Sequence, residues 1–290
     1  MSTTVMIDGR LVPPDQALVS VFDRGFLYGD SVFESWRTYG GSLFALDEHL
    51  ARLERSAARV LIELPVSRDL LESEVLSALA AHGSSEAYVR LMLTRGVGRA
   101  LGLDPELAER PLRVVLVSTL SPPASALYEQ GIAAITYRAE RPSDAPAVAD
   151  AKIGNYLLAI LAMRAARAAG ASEALLEDGH GAILEGATSN VFAVFCGTLA
   201  TPPESSAILP GITRSHVLGI ARSMGLPIEL RTLRKAELAE ADEVFVTSSI
   251  RELVPVVRID GERVGLGAPG PITLELLRLF RERAAQRSLA

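Results

Sequence analysis

The chain has 290 residues, of which 49% are hydrophobic and 22% are charged, so it can form one large domain or two medium ones with real cores. A formal net charge of -6, without a dense stripe of lysine and arginine, argues against a nucleic-acid partner and suits small metabolites. No apolar run approaches about 18 uninterrupted residues and the N-terminus lacks a signal-peptide pattern, so we expect a cytoplasmic protein that does not span a membrane.

The single cysteine, Cys196, lies within the apolar run that begins at Asn190, and we expect its thiol to be buried and inert. One cysteine excludes a disulfide framework within the chain and a zinc site built from cysteines. We therefore expect no metal.

Strand-like segments open the chain, and Gly40-Gly41 in the second of them is typical of a hairpin turn. Apolar residues at helical spacing then predict a helix with Asp47 as its N-cap, and another helix follows from about Ser67 to Ala81. Two further strands, AYVRLMLTRG and LRVVLVSTL, are separated by a polar loop over residues 96–110.

The segment SPPAS, Ser121 to Ser125, is the predicted linker because its two prolines follow a strand and precede a new element. Beyond it we predict a strand over 132–138, a helix from Lys152 to about Ala169, and helices over 213–224 and 272–284, with short strands among them. Strand clusters and helices without regular alternation indicate an α+β protein with two domains.

Lys152 lies in the stretch AKIGNYLL, after small or polar residues and before the pair Asn155 and Tyr156. Taken alone it is an ordinary solvated lysine at the start of a helix. A lysine that is partly desolvated beside a cationic group, however, has a depressed pKa and can form a Schiff base. The rest of the chain decides between these interpretations.

Glu185 opens the stretch EGATSNVF, in which Gly186 and the hydroxyl residues after it could simply form a turn. If Glu185 points inward instead, its carboxylate needs a cationic partner. A protonated pyridine nitrogen would be such a partner, and an acid at that position makes the ring a stronger electron sink.

Three further features could bind an anion, although each also has an ordinary structural explanation. Ile212 and Thr213 follow Pro-Gly at a predicted helix start, where backbone N–H groups attract anions. The strand at VTSSIRE ends in hydroxyl residues that include Ser249. Arg52 shares a helix face with His49 and Ser56, so it could turn inward and clamp a phosphate.

In order, the chain presents a lysine, a downstream acid, a Pro-Gly-Ile-Thr helix start and a hydroxyl-rich strand end. This combination resembles the class IV (fold-type IV) pyridoxal-phosphate aminotransferases. The family includes branched-chain and D-amino-acid aminotransferases, some (R)-amine transaminases and aminodeoxychorismate lyase. The resemblance runs from DRGFLYGDSVFES, which begins at Asp23, to VTSSIRELVPV, which ends at Val257.

The resemblance implies a small α/β domain over residues 1–120, a linker over 121–125 and a larger pseudo-barrel domain over 126–290 that binds pyridoxal 5'-phosphate (PLP). It also implies at least a homodimer, in which a loop of the neighbouring subunit completes the site. The small-molecule partners would be an amino donor and a 2-oxoacid such as 2-oxoglutarate or pyruvate.

The resemblance also assigns roles to individual residues. Lys152 would form the Schiff base with PLP and carry a proton between the substrate Cα and C4′ of the cofactor. Glu185 would pair with the pyridine nitrogen, supported by Asn190. The remaining cofactor contacts would come from Arg52, the backbone of Ile212, Thr213 and Ser249 around the phosphate, and Tyr156 near the phenolic oxygen.

The candidate substrate-binding residues resemble those of more than one branch of the family. Five of them match branched-chain enzymes: Tyr28, Phe33, Arg37, Tyr88 and Arg90. Against this, Ser35 replaces the usual glycine, Arg99 in LMLTRGVGR resembles the carboxylate-binding arginine of D-amino-acid enzymes and lyases, and Ile250-Arg251 replaces a small pair.

Arginine binds carboxylates in a bidentate manner, so Arg37, Arg90, Arg99 and Arg251 all bear on the substrate, although each could instead form a structural ion pair. The resemblance favours branched-chain-like L-amino acids, followed by D-amino acids or (R)-amines, and then a lyase that forms 4-aminobenzoate. A catalytically silent or non-PLP binding protein is the alternative from another class, and the presence of both Lys152 and Glu185 argues against it.

Overall fold

The structure is a computed structural model that describes residues 3–121, 123–139 and 150–287. The chain forms two compact units. Within the described residues, the first unit holds 3–121, 151–155 and 284–287, and the second holds 123–139, 150 and 156–283. The predicted linker includes residue 122, which lies outside the described residues.

The first unit is a six-stranded antiparallel sheet with the order β2-β1-β6-β5-β3-β4. Its strands are β1 (Thr3–Ile7), β2 (Arg10–Val12), β3 (Ser31–Tyr39), β4 (Ser42–Leu43), β5 (Ala87–Thr94) and β6 (Leu112–Thr119). Its helices are α1 (Arg24–Tyr28), α2 (Leu46–Arg59) and α3 (Arg68–His82).

The core of this unit lies on one face of the sheet, where buried residues of β3 and β5 such as Val32, Trp36 and Leu91 pack with Leu50 and Leu53 of α2. Alternation along a strand places the intervening residues on the opposite face. The register of β3 against β5 pairs Ser35 with Arg90 and Arg37 with Tyr88. Four of the candidate substrate residues, namely Phe33, Arg37, Tyr88 and Arg90, therefore share the face of the sheet that is turned away from α2.

The predicted hairpin at Gly40-Gly41 is confirmed by the antiparallel pairing of β3 with β4. The second predicted helix is α3, with Ser67 as its N-cap. The prediction that Asp47 caps α2 is wrong, because the chain enters this helix through Ala45 in a left-handed conformation at φ 55°. Asp47 lies in the first turn, where its charge still suits the helix dipole.

The second unit contains a mixed ten-stranded sheet with the order β12-β11-β10-β14-β15-β7-β8-β9-β13, and β16 pairs with β15. The first five strands are β7 (Ile132–Arg138), β8 (Glu173–Glu177), β9 (Ala182–Gly186), β10 (Asn190–Phe195) and β11 (Thr198–Thr201). The others are β12 (Ile228–Leu230), β13 (Leu233–Arg234), β14 (Glu243–Ser248), β15 (Glu252–Ile259) and β16 (Glu262–Arg263).

The helices of this unit are α4 (Ala126–Glu129), α5 (Leu157–Ala168), α6 (Ile212–Ser223), α7 (Lys235–Leu238) and α8 (Pro271–Arg287). Small side chains on α5 allow close packing, since Ala162 and Ala166 are buried with Ala174 and Leu176 of β8. No helix in the described ranges is both long and apolar enough to cross a membrane.

The prediction of a helix that begins at Lys152 is wrong, because α5 starts only at Leu157. Residues 152–154 instead run antiparallel to the start of β3, with a bridge between Val32 and Ile153. Their backbone groups bond to β3 and α2 and are therefore not available for a helical ladder.

The prediction of a buried thiol is also wrong, because Cys196 is exposed. Cys196 and Gly197 form the turn between β10 and β11, with φ values of 47° and 80°. A two-residue hairpin turn with positive φ at both positions projects from the sheet, and this removes Cys196 from the apolar strand before it.

Candidate functional site

The backbone of Lys152 is held from two sides. Its N–H donates to Ser56 Oγ of α2 at 3.0 Å, and its carbonyl accepts from the N–H of Phe33 on β3 at 3.0 Å. Gly154 N–H donates to Ser31 O at 2.8 Å, and a Cβ at Gly154 would lie 2.1 Å from Ser31 Oγ. The segment around Lys152 is therefore fixed against β3, and a side chain at residue 154 would require the Ser31 hydroxyl to move.

The side chain of Lys152 is half-buried, and its Nζ lies 4.4 Å from the ring centroid of Phe33. The guanidinium carbon of Arg90 lies 4.1 Å from the centroid of the same ring. Phe33 therefore contacts both the candidate catalytic amine and a candidate substrate arginine. Such cation–π contacts hold cationic groups in place without neutralising them.

Beneath this segment, Arg52 forms a buried bidentate ion pair with Glu34 of β3. Arg52 Nε lies 2.7 Å from Glu34 Oε1, and Nη2 lies 2.8 Å from Oε2. His49 Nδ1 lies 2.7 Å from Glu34 Oε2, and all three residues are at most 3% exposed. The prediction that Arg52 turns inward together with His49 and Ser56 is confirmed. Its role as a phosphate ligand stays a prediction.

Burial and charge act in opposite directions on this cluster. Burial tends to raise the pKa of Glu34, but the charge and hydrogen bonds of Arg52, with a hydrogen bond from His49, lower it to about 2. Burial lowers the pKa of His49 despite its bond to Glu34, and the nearby charges of Arg52 and Lys152 lower it further. At neutral pH the cluster therefore holds an ionised Glu34 and a neutral His49.

The other candidate substrate residues of the sheet face have polar partners. Ser35 Oγ and the Tyr88 hydroxyl lie 3.2 Å apart. Arg37 Nη2 lies 3.4 Å from Glu86 Oε2, and its guanidinium carbon lies 4.7 Å from the ring centroid of Tyr39. The contact with Glu86 thus supports the structural explanation of Arg37, namely that it forms an ion pair.

Tyr28 is the last residue of α1, and Arg99 lies in the loop between β5 and β6. The Tyr28 hydroxyl accepts from Gly102 N–H at 3.1 Å, and Arg99 is exposed, with Nη2 donating to Glu106 O at 3.0 Å. Arg24 is buried and donates to Gly102 O at 2.9 Å and Leu103 O at 3.1 Å. These bonds tie the Arg99 loop to α1.

In the second unit, Glu185 and Asn190 both hold the turn before α6. Leu209 N–H donates to Glu185 Oε2 at 3.1 Å, and Asn190 Nδ2 donates to Leu209 O at 2.9 Å. The N-cap of α6 is Gly211, where a Cβ would lie 1.9 Å from Asn190 Oδ1. The carboxylate proposed for one end of a cofactor is therefore linked to the helix start proposed for its phosphate.

The helix α6 begins with Ile212 and Thr213, both buried. Backbone N–H groups at such a start attract anions. Tyr156 is half-buried directly before α5, and Ser249 is half-buried in the loop after β14. Ile250 follows Ser249 in that loop.

Arg251 is bound to other side chains of its own unit. Its Nη2 pairs closely with the carboxylate of Glu173, which is fully buried and also accepts from Ser189 Oγ at 3.0 Å. A second contact, to Thr188 Oγ1, measures 3.5 Å. The side chain of Arg251 therefore compensates a buried acid.

The sequence analysis did not identify two acids of these clusters, Glu34 and Glu173. Glu34 carried a usable signal, because it occupies a core-facing position between Val32 and Trp36 while the buried face of α2 offers a histidine and an arginine. Glu173 carried no such signal, since its partner Arg251 is 78 residues away.

We predict that Glu34→Gln lowers the free energy of unfolding by about 3–5 kcal/mol at neutral pH, because it leaves Arg52 buried without its counter-charge. The matched control is Glu86→Gln, which removes a 40%-exposed partner of Arg37 and should cost less than about 1 kcal/mol. Chemical denaturation of wild type and the two variants measures both losses in the free energy of unfolding. Equal losses would contradict a buried ion pair between Glu34 and Arg52.

The same cluster predicts a pH dependence. Folding lowers the pKa of Glu34 from 4.5 to about 2, so its ion pair contributes stability above pH 4.5 and loses that contribution as the pH falls through 2. The difference in the free energy of unfolding between wild type and Glu34→Gln should therefore narrow as the pH is lowered from 5 towards 2. A difference that stays constant over this range would contradict a low pKa for Glu34.

Known proteins are similar to this chain over most of its length. The family model of amino-transferase class IV matches residues 31–259. A Methanocaldococcus jannaschii protein, provisionally named a branched-chain-amino-acid aminotransferase, is 41% identical over 281 residues, which cover 96% of this chain and 95% of that protein. The D-alanine aminotransferase of Bacillus licheniformis is 35% identical over 274 residues, with 93% of each chain covered.

Among solved structures, the T.th. branched-chain amino acid aminotransferase complexed with N-(5'-phosphopyridoxyl)-L-glutamate superposes with a TM-score of 0.91. It is 32% identical in sequence, and the match covers 98% of this chain and 94% of that one. The α+β class and the fold-type IV resemblance drawn from the sequence are thereby confirmed. The chain belongs to the class IV aminotransferases.

Proposed function

We propose that this protein is a PLP-dependent aminotransferase that moves an amino group between an L-amino acid of branched-chain type and a 2-oxoacid. The observation that carries the proposal is Lys152, a half-buried lysine whose backbone is fixed by β3 and α2 and whose Nζ lies 4.4 Å from the centroid of Phe33. Family membership supports it, as does the phosphopyridoxyl-glutamate complex of the similar T.th. enzyme.

The donor groups of the chain fit the chemistry of PLP. Arg52 and the start of α6 offer a guanidinium and backbone N–H groups for a phosphate, and Thr213 and Ser249 add hydroxyls. Glu185 offers a carboxylate for a protonated pyridine nitrogen, with Asn190 beside it. We infer that these residues hold the cofactor, together with Tyr156 near its phenolic oxygen.

When bound, PLP supplies an electron sink that makes the Cα–H bond of an attached amino acid acidic. The chain's own part is to hold the amine of Lys152 where it can take the proton from Cα and return it. The fixed backbone of Lys152 limits the motion of its side chain and so orients its Nζ.

Arg90 is the arginine that best supports substrate binding on the face of the first sheet, because it and Lys152 contact the same ring of Phe33. Arg251 compensates Glu173, and Arg99 is engaged with Glu106 O. We therefore propose that Arg90 binds a substrate carboxylate, while Phe33 and Tyr88 supply apolar and aromatic surface for a branched side chain.

A second candidate is transamination of D-amino acids, which the similarity to the Bacillus licheniformis D-alanine aminotransferase favours. The two functions share the cofactor chemistry and differ in the face of the substrate that meets Lys152. The 41% identity to the provisionally named branched-chain enzyme favours the L-amino-acid function.

We propose a homodimer as the assembly, in agreement with an exposed apolar surface on the first unit. Its members are Leu18 at 81% exposure, Val21 at 61%, Phe26 at 71%, Leu101 at 70% and Leu103 at 78%. Arg24 ties the loop of Leu101 and Leu103 to α1, and exposed apolar clusters commonly mark protein interfaces. Sedimentation at the mass of the 30.9 kDa monomer would contradict this assembly.

A cytoplasmic location remains a prediction.

The direct test is the absorbance spectrum of the purified protein with added PLP. We expect a band in the visible region from PLP bonded to Lys152, and in Lys152→Ala we expect that band to be absent although free PLP can still bind. Arg164→Ala, on α5, serves as a control that also removes one cation. A protein that stays colourless with PLP, or a band unchanged in Lys152→Ala, would overturn the proposal.

Half-reactions test the substrate. Mixing the coloured protein with single amines should bleach the band fastest with L-leucine, because we place a branched side chain against Phe33 and Tyr88. Comparison amines are D-alanine, (R)-1-phenylethylamine and aminodeoxychorismate, the last also followed by release of pyruvate. Bleaching by D-alanine alone would establish the second candidate, and pyruvate release would show a lyase.

A further inference from the structure

A strained glutamate closes the loop that carries Ser249. Ser248 and Glu252 pair at the end of the β14–β15 hairpin, so the loop between them consists of Ser249, Ile250 and Arg251. Glu252 has a φ of 60°, in the left-handed region. Three-residue hairpin loops usually place glycine at such a position, because a Cβ there crowds the following carbonyl oxygen. A glutamate at this position needs a compensating contact.

That contact comes from α8. Arg281 Nε and Nη2 donate to Glu252 Oε2 at 2.9 and 2.7 Å, and Glu252 is only 3% exposed. Burial lowers the pKa of Arg281, but the bond and charge of Glu252 outweigh it and the pKa is raised. The ion pair therefore offsets the strain and joins the end of the loop to α8.

Tyr128 of α4 extends this cluster to the next residue of the loop. The guanidinium carbon of Arg281 lies 4.4 Å from the centroid of the Tyr128 ring. The Tyr128 hydroxyl donates to the carbonyl oxygen of Arg251 at 3.2 Å. One aromatic side chain thus supports the arginine and also binds the loop backbone.

The loop is closed from its other side as well. Arg251 N–H donates to Ser248 Oγ at 3.2 Å, and the Arg251 side chain pairs with buried Glu173. With Arg251 and Glu252 both fixed, the conformational freedom of Ser249 and Ile250 is restricted to the short apex between Ser248 and Arg251. A preorganised loop of this kind lowers the entropy that a ligand must remove on binding.

We propose that Tyr128, Arg281 and Glu252 form a positioning cluster that holds Ser249 and Ile250 in the conformation that binds the cofactor phosphate and the substrate. This inference rests on the proposed function, in which Ser249 contacts the phosphate. The three residues of the cluster act through the loop and are not themselves catalytic.

The test compares Arg281→Met with Arg278→Met. Both arginines lie on α8, but Arg278 pairs with exposed Glu275 and Glu282 on the surface of the same helix. Titration of the apoprotein with PLP and with pyridoxal, which lacks the phosphate, separates phosphate binding from general stability.

We expect Arg281→Met to raise the dissociation constant of PLP about tenfold, a loss typical of removing a group that orients a ligand-binding residue. The dissociation constant of pyridoxal should change much less, KM should rise more than kcat falls, and Arg278→Met should resemble wild type. Equal losses for PLP and pyridoxal, or equal effects of the two substitutions, would overturn the positioning role.

Tyr128→Phe keeps the ring beneath Arg281 and removes only the hydroxyl that binds Arg251 O, so it tests the cluster even if Arg281→Met does not fold. Tyr128→Phe should raise the dissociation constant of PLP, by a smaller factor than Arg281→Met, and leave the dissociation constant of pyridoxal unchanged. If the ratio of these two constants in Tyr128→Phe equals that of wild type, the positioning role of Tyr128 is contradicted. Failure of the wild-type protein to bind PLP would instead refute the proposed function itself.

Discussion

The buried ion pair between Glu34 and Arg52 is the interaction on which the candidate site residues of the first unit depend. Two charges at most 3% exposed are tolerable only as a hydrogen-bonded pair, so β3 and α2 must keep this register. The same two elements hold the backbone of Lys152, through Phe33 N–H on β3 and Ser56 Oγ on α2. The ion pair thus fixes the orientation of Arg52 by direct contact. It also fixes the position of Lys152, because it joins β3 to α2 and these two elements hold the backbone of Lys152.

The second unit uses the same principle with different chemistry. Glu185 accepts from Leu209 N–H and Asn190 donates to Leu209 O, and these two bonds hold the chain where it enters α6. In the β14–β15 loop, partners on other elements fix Arg251 and Glu252. In each unit, the residues that we assign to ligand binding are therefore oriented by hydrogen bonds and ion pairs to other elements of the same unit. Preorganisation of this kind reduces the entropy lost when side chains are ordered on binding.

Local patterns predicted much of this structure from the sequence. The α3 helix, the Gly40-Gly41 hairpin and the inward turn of Arg52 follow from capping, turn chemistry and helical periodicity. The start of α5 could not be predicted in this way, because residues before Leu157 pair with β3, which lies far earlier in the chain. The exposure of Cys196 depended on recognising a turn with positive φ at a non-glycine residue. Arg251 could not be distinguished from a substrate ligand until its partner Glu173 was located.

We propose that the amine of Lys152 bonds covalently to PLP. Reduction of the PLP-loaded protein with borohydride, followed by proteolysis and mass spectrometry, tests it most directly, because reduction converts a Schiff base into a stable secondary amine. We expect a single pyridoxyl-modified peptide that contains Lys152, and no such peptide when the amino donor is added before reduction. A modification confined to Lys235, the other lysine of the chain, or no modified peptide at all would contradict a covalent role for Lys152.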